Sequence, residues 1–356
     1  MVQYILRKLL MAVPLVLGVI TLIFGLMQAA PGSPADRFFT PETPPEVRQL
    51  IEQKWGLDQP VHIQYVRLVK NLLVPTLRCP AADYSEATTS GGAAWTMCRA
   101  RGEWPKLELE LGVSIAQERP VFDIISESLP NTLVLSALTL VVLIGFGCLL
   151  GIFQAVRQYT VADNVASVVS LFFYSMPGFW LALMLVLLFS LKLDLLPATG
   201  MVDAVEHDYM TGSERLWDRV LHLILPGVAL GVAHSAGIAR YMRSSMLEVI
   251  RQDFVRTARA KGLPERQVVF KHALRNALLP IVTLIGLSMP FLFSGSVLIE
   301  YVFAWPGMGQ QIVAAIFAKD TPVIIGCFFV YTLVVVAGNL VADLTYSLVD
   351  PRIRLS

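Results

Sequence analysis

The sequence predicts an all-α polytopic membrane protein: six transmembrane helices with an extracytoplasmic domain between the first and second. Three observations carry this. Hydrophobic residues make up 55% of the 356 and charged residues only 15%, against roughly 25% charged in a soluble domain. Apolar runs near the roughly 20 residues needed to cross a bilayer recur at 9–30, 133–156, 165–191, 222–240, 277–299 and 323–347. Finally, Lys and Arg crowd onto one side of those runs, as the positive-inside rule requires.

The first run follows Arg7 and Lys8 and could pass for a signal peptide. Its length suits a span, and no small-x-small cleavage site precedes a soluble domain, so it reads as a retained helix. The fourth run is the weakest, short and rich in small residues such as Gly227, Ala229, Gly231 and Ala233. Small residues favour close helix packing within a bundle over exposure to lipid.

Orientation follows from the short loops. Segment 240–275 holds nine basic residues, 192–221 holds three against six acids, and 300–322 holds only Lys319. Arg7 and Lys8 at one end and Arg352 and Arg354 at the other fall on the basic side, which makes both termini cytoplasmic. Residues 31–132 are then a long outer segment. It opens on prolines 31, 34, 41, 44 and 45 and continues with amphipathic helices expected over Glu46–Trp55 and His62–Leu73. Leu50, Ile51, Trp55, Val66, Val69 and Leu73 give it apolar surface, so it is expected to fold and pack on the membrane domain.

Of the four cysteines, Cys148 and Cys327 sit in apolar runs, where cysteine acts as a small hydrophobe. Cys79 and Cys98 bracket a Gly/Ser/Thr-rich patch on the outer side, where disulfides persist, and are expected to be bonded. His62, His207, His222 and His272 are scattered and suggest no metal site. No GxxxxGK[ST] phosphate loop occurs, so the chain has no such means of cradling ATP.

The cytoplasmic stretch 241–276 carries strong helix punctuation. Asp253 is placed to cap a short helix over 253–261, Gly262 to end it with a positive φ, Pro264 to open the next helix and Glu265 to follow in its first turn. Phe254, Val255 and Ala258 share one face, flanked by Arg256, Arg259 and Lys261. Small Ala258 and Ala260 would let another protein approach closely. Orienting the helices needs only the charge; the ordered Ala-Arg-Ala-Lys-Gly-Leu turn is more than that needs.

That stretch resembles the "EAA" coupling loop of ATP-binding-cassette importer permeases, in the variant of the dipeptide/oligopeptide permease family. The resemblance extends to Ala30-Pro-Gly-Ser-Pro, Gly56-Leu-Asp-Gln-Pro, Leu111-Gly-Val-Ser, Ser175-Met-Pro, Met242-Arg-Ser-Ser-Met-Leu-Glu, Glu300-Tyr-Val-Phe-Ala-Trp-Pro-Gly-Met-Gly and Asp350-Pro-Arg-Ile-Arg. It covers nearly the whole chain and is similar to the first permease of that family. The stretch of about 74–106 departs from the pattern and looks like an insertion.

The resemblance implies a type I importer permease fold: residues 1–30 as the first helix, 31–132 as the outer domain, 133–349 as the permease core and 350–356 as a cytoplasmic tail. It implies a non-enzymatic subunit of a bacterial inner membrane, with a second homologous permease, two ATP-binding subunits that use ATP and Mg, an extracytoplasmic binding protein, surrounding lipid and no nucleic acid. Asp253, Phe254, Arg256, Thr257, Ala258, Arg259, Ala260, Lys261, Gly262 and Leu263 would meet the ATPase. Glu300, Phe303, Trp305, Pro306, Gly307 and Gly309 would lie over the pore mouth near the binding protein. Trp305 fits an interfacial anchor equally well. Relatives of this scaffold carry peptides, nickel, glutathione, opines or oligosaccharides, and the spans do not choose among them. A secondary transporter would need ionisable residues at mid-span; only His234 and Asp343 approach that position.

Overall fold

A computed structural model describes residues 2–32, 35, 39, 43–73, 76–78, 106–108 and 111–349. Its helices are α1 Val2–Ala29, α2 Pro45–Trp55, α3 Val61–Leu73, α4 Val121–Val156, α5 Val161–Ser175, α6 Gly178–Leu185, α7 Gly212–Ile250 and α8 Asp253–Ala260. The short helix α9 Glu265–Gln267 runs through a π segment, Val268–Ala273, into α10 Leu274–Ala277. Then come α11 Leu279–Val302, α12 Met308–Phe317 and α13 Thr321–Val349. Among the described residues, four helices are long and apolar enough to cross a membrane: Gln3–Ala29, Val121–Val156, Gly212–Ile250 and Thr321–Leu344. The fifth predicted segment lies on α11, whose 24 residues extend about 36 Å at 1.5 Å per residue.

The third predicted span, 165–191, is not one straight helix. Val161–Ser175 and Gly178–Lys192 meet at an angle of 105°. The cause is Pro177, which disfavours the helical conformation at the residue before it. Met176 is accordingly extended, with φ −78° and ψ 136°. The second half continues past α6 as a π-helix, Val186–Lys192.

Two other spans are longer than predicted. α4 begins at Val121 rather than 133, and α7 has 39 residues where 222–240 was expected. Hydropathy marks where a helix leaves the bilayer, and says nothing of polar turns that continue into water. α7 starts in a capping box: Glu214 accepts from the Thr211 backbone N–H at 2.8 Å, and the Thr211 side chain meets the N3 backbone.

The chain divides into two compact units. The first comprises Met1–Leu10, Leu129–Gln310 and Val334–Ser356. Helix α7 is its centre, with α5, α6 and α11 packed on it. Close approach to α4 depends on glycines from both helices. A β-carbon on Gly151 would lie 2.5 Å from the Ala239 carbonyl oxygen, and one on Gly231 would lie 2.7 Å from Val142. Gly147-x-x-x-Gly151 and Gly227-x-x-x-Gly231 are thus small-residue seams of the kind membrane helices use. At the termini, the Asp343 carboxylate accepts from Lys8 Nζ and the Tyr4 hydroxyl.

The second unit comprises Met11–Ser128 and Gln311–Leu333. α2 begins on Pro45 at its first turn and stops at Gly56, where φ is +66°. α3 lies against α1, with the Tyr65 hydroxyl 2.6 Å from Thr21 Oγ1 and its ring 5.5 Å from that of Phe24. The chain is not purely α. Strands β1 Thr76–Arg78 and β2 Lys106–Glu108 pair antiparallel, with Leu77 opposite Leu107, and so close the base of the stretch singled out as an insertion. Cys79 and Cys98 lie outside the described residues. Buried Asp320 ties 114–116 to the start of α13, accepting from the Ser114 hydroxyl and, at 2.8 Å, from the Ala116 backbone N–H.

Candidate functional site

The first unit holds both stretches that the sequence singles out. The cap of helix α8 lies one residue earlier than expected: Gln252 is the extended N-cap residue and Asp253 the first helical one. There the Asp253 carboxylate faces the positive end of the helix dipole and sits 3.7 Å from Arg256. The helix closes in a Schellman turn. Gly262 N–H donates to the Arg259 carbonyl at 2.9 Å and Leu263 N–H to that of Ala258 at 3.4 Å. Gly262 has φ +77°, and beyond its chain neighbours no atom lies within 4 Å of where its β-carbon would be. Backbone conformation, and not space, therefore demands glycine. Pro264 is the cap before Glu265 rather than the first helical residue.

The direction α8 faces differs from the sequence reading. Val255 and Ala258 are buried in the chain's own core with Met242, Met246 and Val249 of α7 and Val268, Val269 and Ala273 of the π segment. Ala258 is 5% exposed and faces inward, so it is unavailable to a partner. Phe254, Arg256, Thr257, Arg259, Ala260 and Lys261 are exposed, and Leu263 is half-buried against the core. An i, i+3 pair of apolar side chains seats the helix while its charged side points outward. Arg259 is already engaged: its Nη2 and Nε meet the Glu265 carboxylate at 2.6 and 3.1 Å. This bidentate clamp spans the glycine turn, and the Arg259 hydrogen bond holds the Glu265 carboxyl below the usual carboxylate range.

Segment 265–277 returns to α7, where Ser245 Oγ donates to the Ala277 carbonyl at 2.9 Å. One residue past the Met242 seat, Arg243 donates to buried Asp163 Oδ2 at 2.8 Å. The same oxygen accepts the Tyr159 backbone N–H at 3.0 Å. The turn of α7 beneath α8 therefore also grips the first turn of α5, the start of the bent span.

The loop after α11 is locked inward. Trp305 and Glu300 are both 0% exposed, Phe303 is 2% exposed, Gly307 and Gly309 are buried and Pro306 half-buried. Trp305 is therefore an internal plug and no interfacial anchor. Its indole N–H donates to the Asn131 carbonyl at 3.0 Å, and Asn131 Nδ2 donates to the Pro306 carbonyl at 2.8 Å. Glu300 Oε2 accepts the Gly309 N–H at 2.6 Å, and Thr132 Oγ1 accepts that of Met308 at 2.8 Å. Both glycines are forced. A β-carbon on Gly307 would stand 2.4 Å from Glu300 Oε2, and one on Gly309 would stand 2.6 Å from Val297 Cα. The exposed residues of this stretch are Tyr301 and Ala304.

Sequence reasoning missed one cluster. His207 and His222, read as scattered, converge on Asp218, with Nδ1 atoms 2.6 and 3.0 Å from its two oxygens. Asp218 also accepts the Asp203 N–H at 3.0 Å. Asp203 in turn caps the Glu206 and Val205 amides, which hold its carboxyl below the ordinary range. The i, i+4 spacing of Asp218 and His222 was visible in sequence; the loop that returns His207 was not. Among the described residues, no group of three or more His, Cys, Asp or Glu could hold a metal ion.

Comparison with known proteins follows the same lines. Residues 147–355 match the family described as binding-protein-dependent transport system inner membrane component. Residues 1–92 match its N-terminal counterpart, binding-protein-dependent transport system membrane component, N-terminal. The chain is 36% identical over 355 residues to the oligopeptide transport system permease protein AppB of Bacillus subtilis, covering 99% of this chain and 100% of that one. It is 33% identical over 374 residues to the dipeptide transport system permease protein DppB of Escherichia coli K12, covering 99% of each. Among solved structures, an inward-facing MetNI methionine transporter is similar in fold, with a TM-score of 0.50 and 17% identity. That match covers 65% of this chain and 98% of the other.

Proposed function

The chain belongs to the binding-protein-dependent transport system inner membrane component family, and from that premise we propose that it forms half the pore of an ATP-driven importer of di- and oligopeptides. It is a multi-pass inner-membrane permease subunit; in this reading both termini are cytoplasmic. A second homologous permease completes the pore, an extracytoplasmic binding protein delivers the peptide, and two separate ATPase subunits consume ATP and Mg. The peptide substrate is inferred from relatives whose names specify oligopeptide and dipeptide transport.

The observation that carries the reading is the build of α8. A force applied to a short helix moves a membrane bundle only if the helix cannot swivel independently. Val255 and Ala258 anchor its inner face, the Gly262 turn closes one end and Arg259–Glu265 spans that turn. Phe254, Arg256, Thr257 and Lys261 are left outward, an apolar ring with cations around it, suited to a groove on an ATPase with acidic edges. Movement of such a unit passes to α7 through Met242, Met246 and Val249, and to α5 through Arg243–Asp163. The loop at 300–309 acts as a rigid brace at the other end of α11, through buried contacts and not by direct docking.

The test is reconstitution of the permease pair with its ATPase and binding protein in proteoliposomes. Uptake of labelled peptide that depends on ATP and on the binding protein is the expected result. Uptake driven by a proton gradient without the ATPase would overturn the proposal.

A further inference from the structure

We propose that the second unit holds an anionic phospholipid in the cleft between α1 and α3. Depth along α1 is the starting point. Tyr65 meets Thr21, which lies eight residues before Ala29, about 12 Å from the helix end. The Gln28 amide, about 10 Å nearer the helix end, reaches that of Gln64 at 3.4 Å. Helix α3 thus lies beside a part of α1 that exposes Leu22 and Leu26, surface that belongs in acyl chains.

Its own composition agrees. α3 exposes Val61, Ile63 and Val66, carries Arg67 and Lys70, and has no Asp or Glu. Val66, Lys70, Ile63 and Arg67 share its outward face, and a helix face that mixes apolar and basic side chains suits the boundary of headgroups and acyl chains. Behind it opens a cleft of about 420 Å³, within the range of ligand pockets, roughly 300–1,000 Å³. Phe24, Met27, Leu111 and Ile115 give it apolar walls, and Arg67 and Asn71, on one face of α3 at i, i+4, supply the polar rim. Gln64 is otherwise occupied, donating to the Gln59 carbonyl at 2.7 Å. Among the described residues, neither Arg67 nor Asn71 has a side-chain partner.

An arginine fork beside an amide donor matches the oxygens of a phosphodiester, and the walls suit the first carbons of an acyl chain. A phospholipid supplies both from the membrane in which the helix already lies.

Native mass spectrometry of the purified full chain, titrated with phosphatidylglycerol or phosphatidylcholine, tests this. One phosphatidylglycerol should be retained in preference. Arg67→Gln, a change at an exposed position, should weaken its retention about tenfold, the effect of losing one charged hydrogen bond. Lys70→Gln, on the same helix but outside the cleft, should leave it nearly unchanged. Equal loss in both variants would mean diffuse attraction to a basic surface and would overturn the site, as would indifference to headgroup charge. Displacement of the lipid by trialanine would also overturn it, in favour of a peptide-binding cleft.

Discussion

Gly262 offers a graded perturbation of the α8 turn. Its φ of +77° lies where a β-carbon costs an L-residue roughly 1–2 kcal/mol, and beyond its own chain neighbours no atom lies within 4 Å of that β-carbon position. A substitution there therefore acts through the backbone alone. That energy is a factor of roughly 5–30 in the balance between the closed Schellman turn and an open one. Asparagine visits the left-handed region several-fold more often than other residues, so Gly262→Asn should lose less than Gly262→Ala, and Gly262→Val most. Peptide uptake by the reconstituted transporter, and retention of the ATPase in pull-down, should both fall in that order while membrane insertion stays constant. A valine variant with wild-type uptake would refute the reasoning. Asparagine as damaging as valine would also refute it, because bulk and not φ would then be the offence.

Ala258→Leu should overpack the seat on Met242 and Met246, costing about 1–3 kcal/mol, and should lower the melting temperature of the isolated chain with no ATPase present. Gly307→Ala should destabilise the chain through its clash with Glu300, and Glu300→Ala should relieve part of that loss in a double-mutant cycle. The Arg259–Glu265 clamp depends on pH. Because the Glu265 carboxyl is held below its ordinary value, the clamp's contribution is complete above the unfolded value near 4.3 and is lost as pH falls through the folded one. Amide protection across 259–265, measured relative to the intrinsic exchange rate at each pH, should therefore fall in acid, and Glu265→Gln should remove that dependence. Arg243→Leu, which strands buried Asp163, should cost about 3–5 kcal/mol by thermal melting, and Arg243→Lys should restore part of it.

Where local chemistry decides, the sequence was legible. Pro45 and Gly56 bound α2, and Gly262 ends α8 with the expected positive φ. The bend at Met176-Pro177 was written in a proline, but hydropathy averages across it. The inward face of α8 could not be read locally. Phe254, Val255 and Ala258 are all apolar, and only the distant Met242, Met246 and Val249 select Val255 and Ala258 as the buried pair. The 300–309 loop was singled out by its residues, yet its burial depends on Thr132 and Asn131, about 170 positions away. Strands of three residues carry too little pattern to announce themselves.

Helix α7 is one continuous rod from the capping box at Thr211 to Ile250, about 58 Å at 1.5 Å per residue. Its C-terminal end carries the seat of α8, and its N-terminal end carries the Asp218 cluster. A rod of that length tilting by roughly 5° about its middle displaces each end by roughly 2.5 Å, in opposite directions. Pro226, near the midpoint, is where such a rod would flex. While it holds straight, α7 is a lever of nearly equal arms: a small push beneath Val255 and Ala258 reappears at Asp218 with its amplitude nearly kept and its sense reversed.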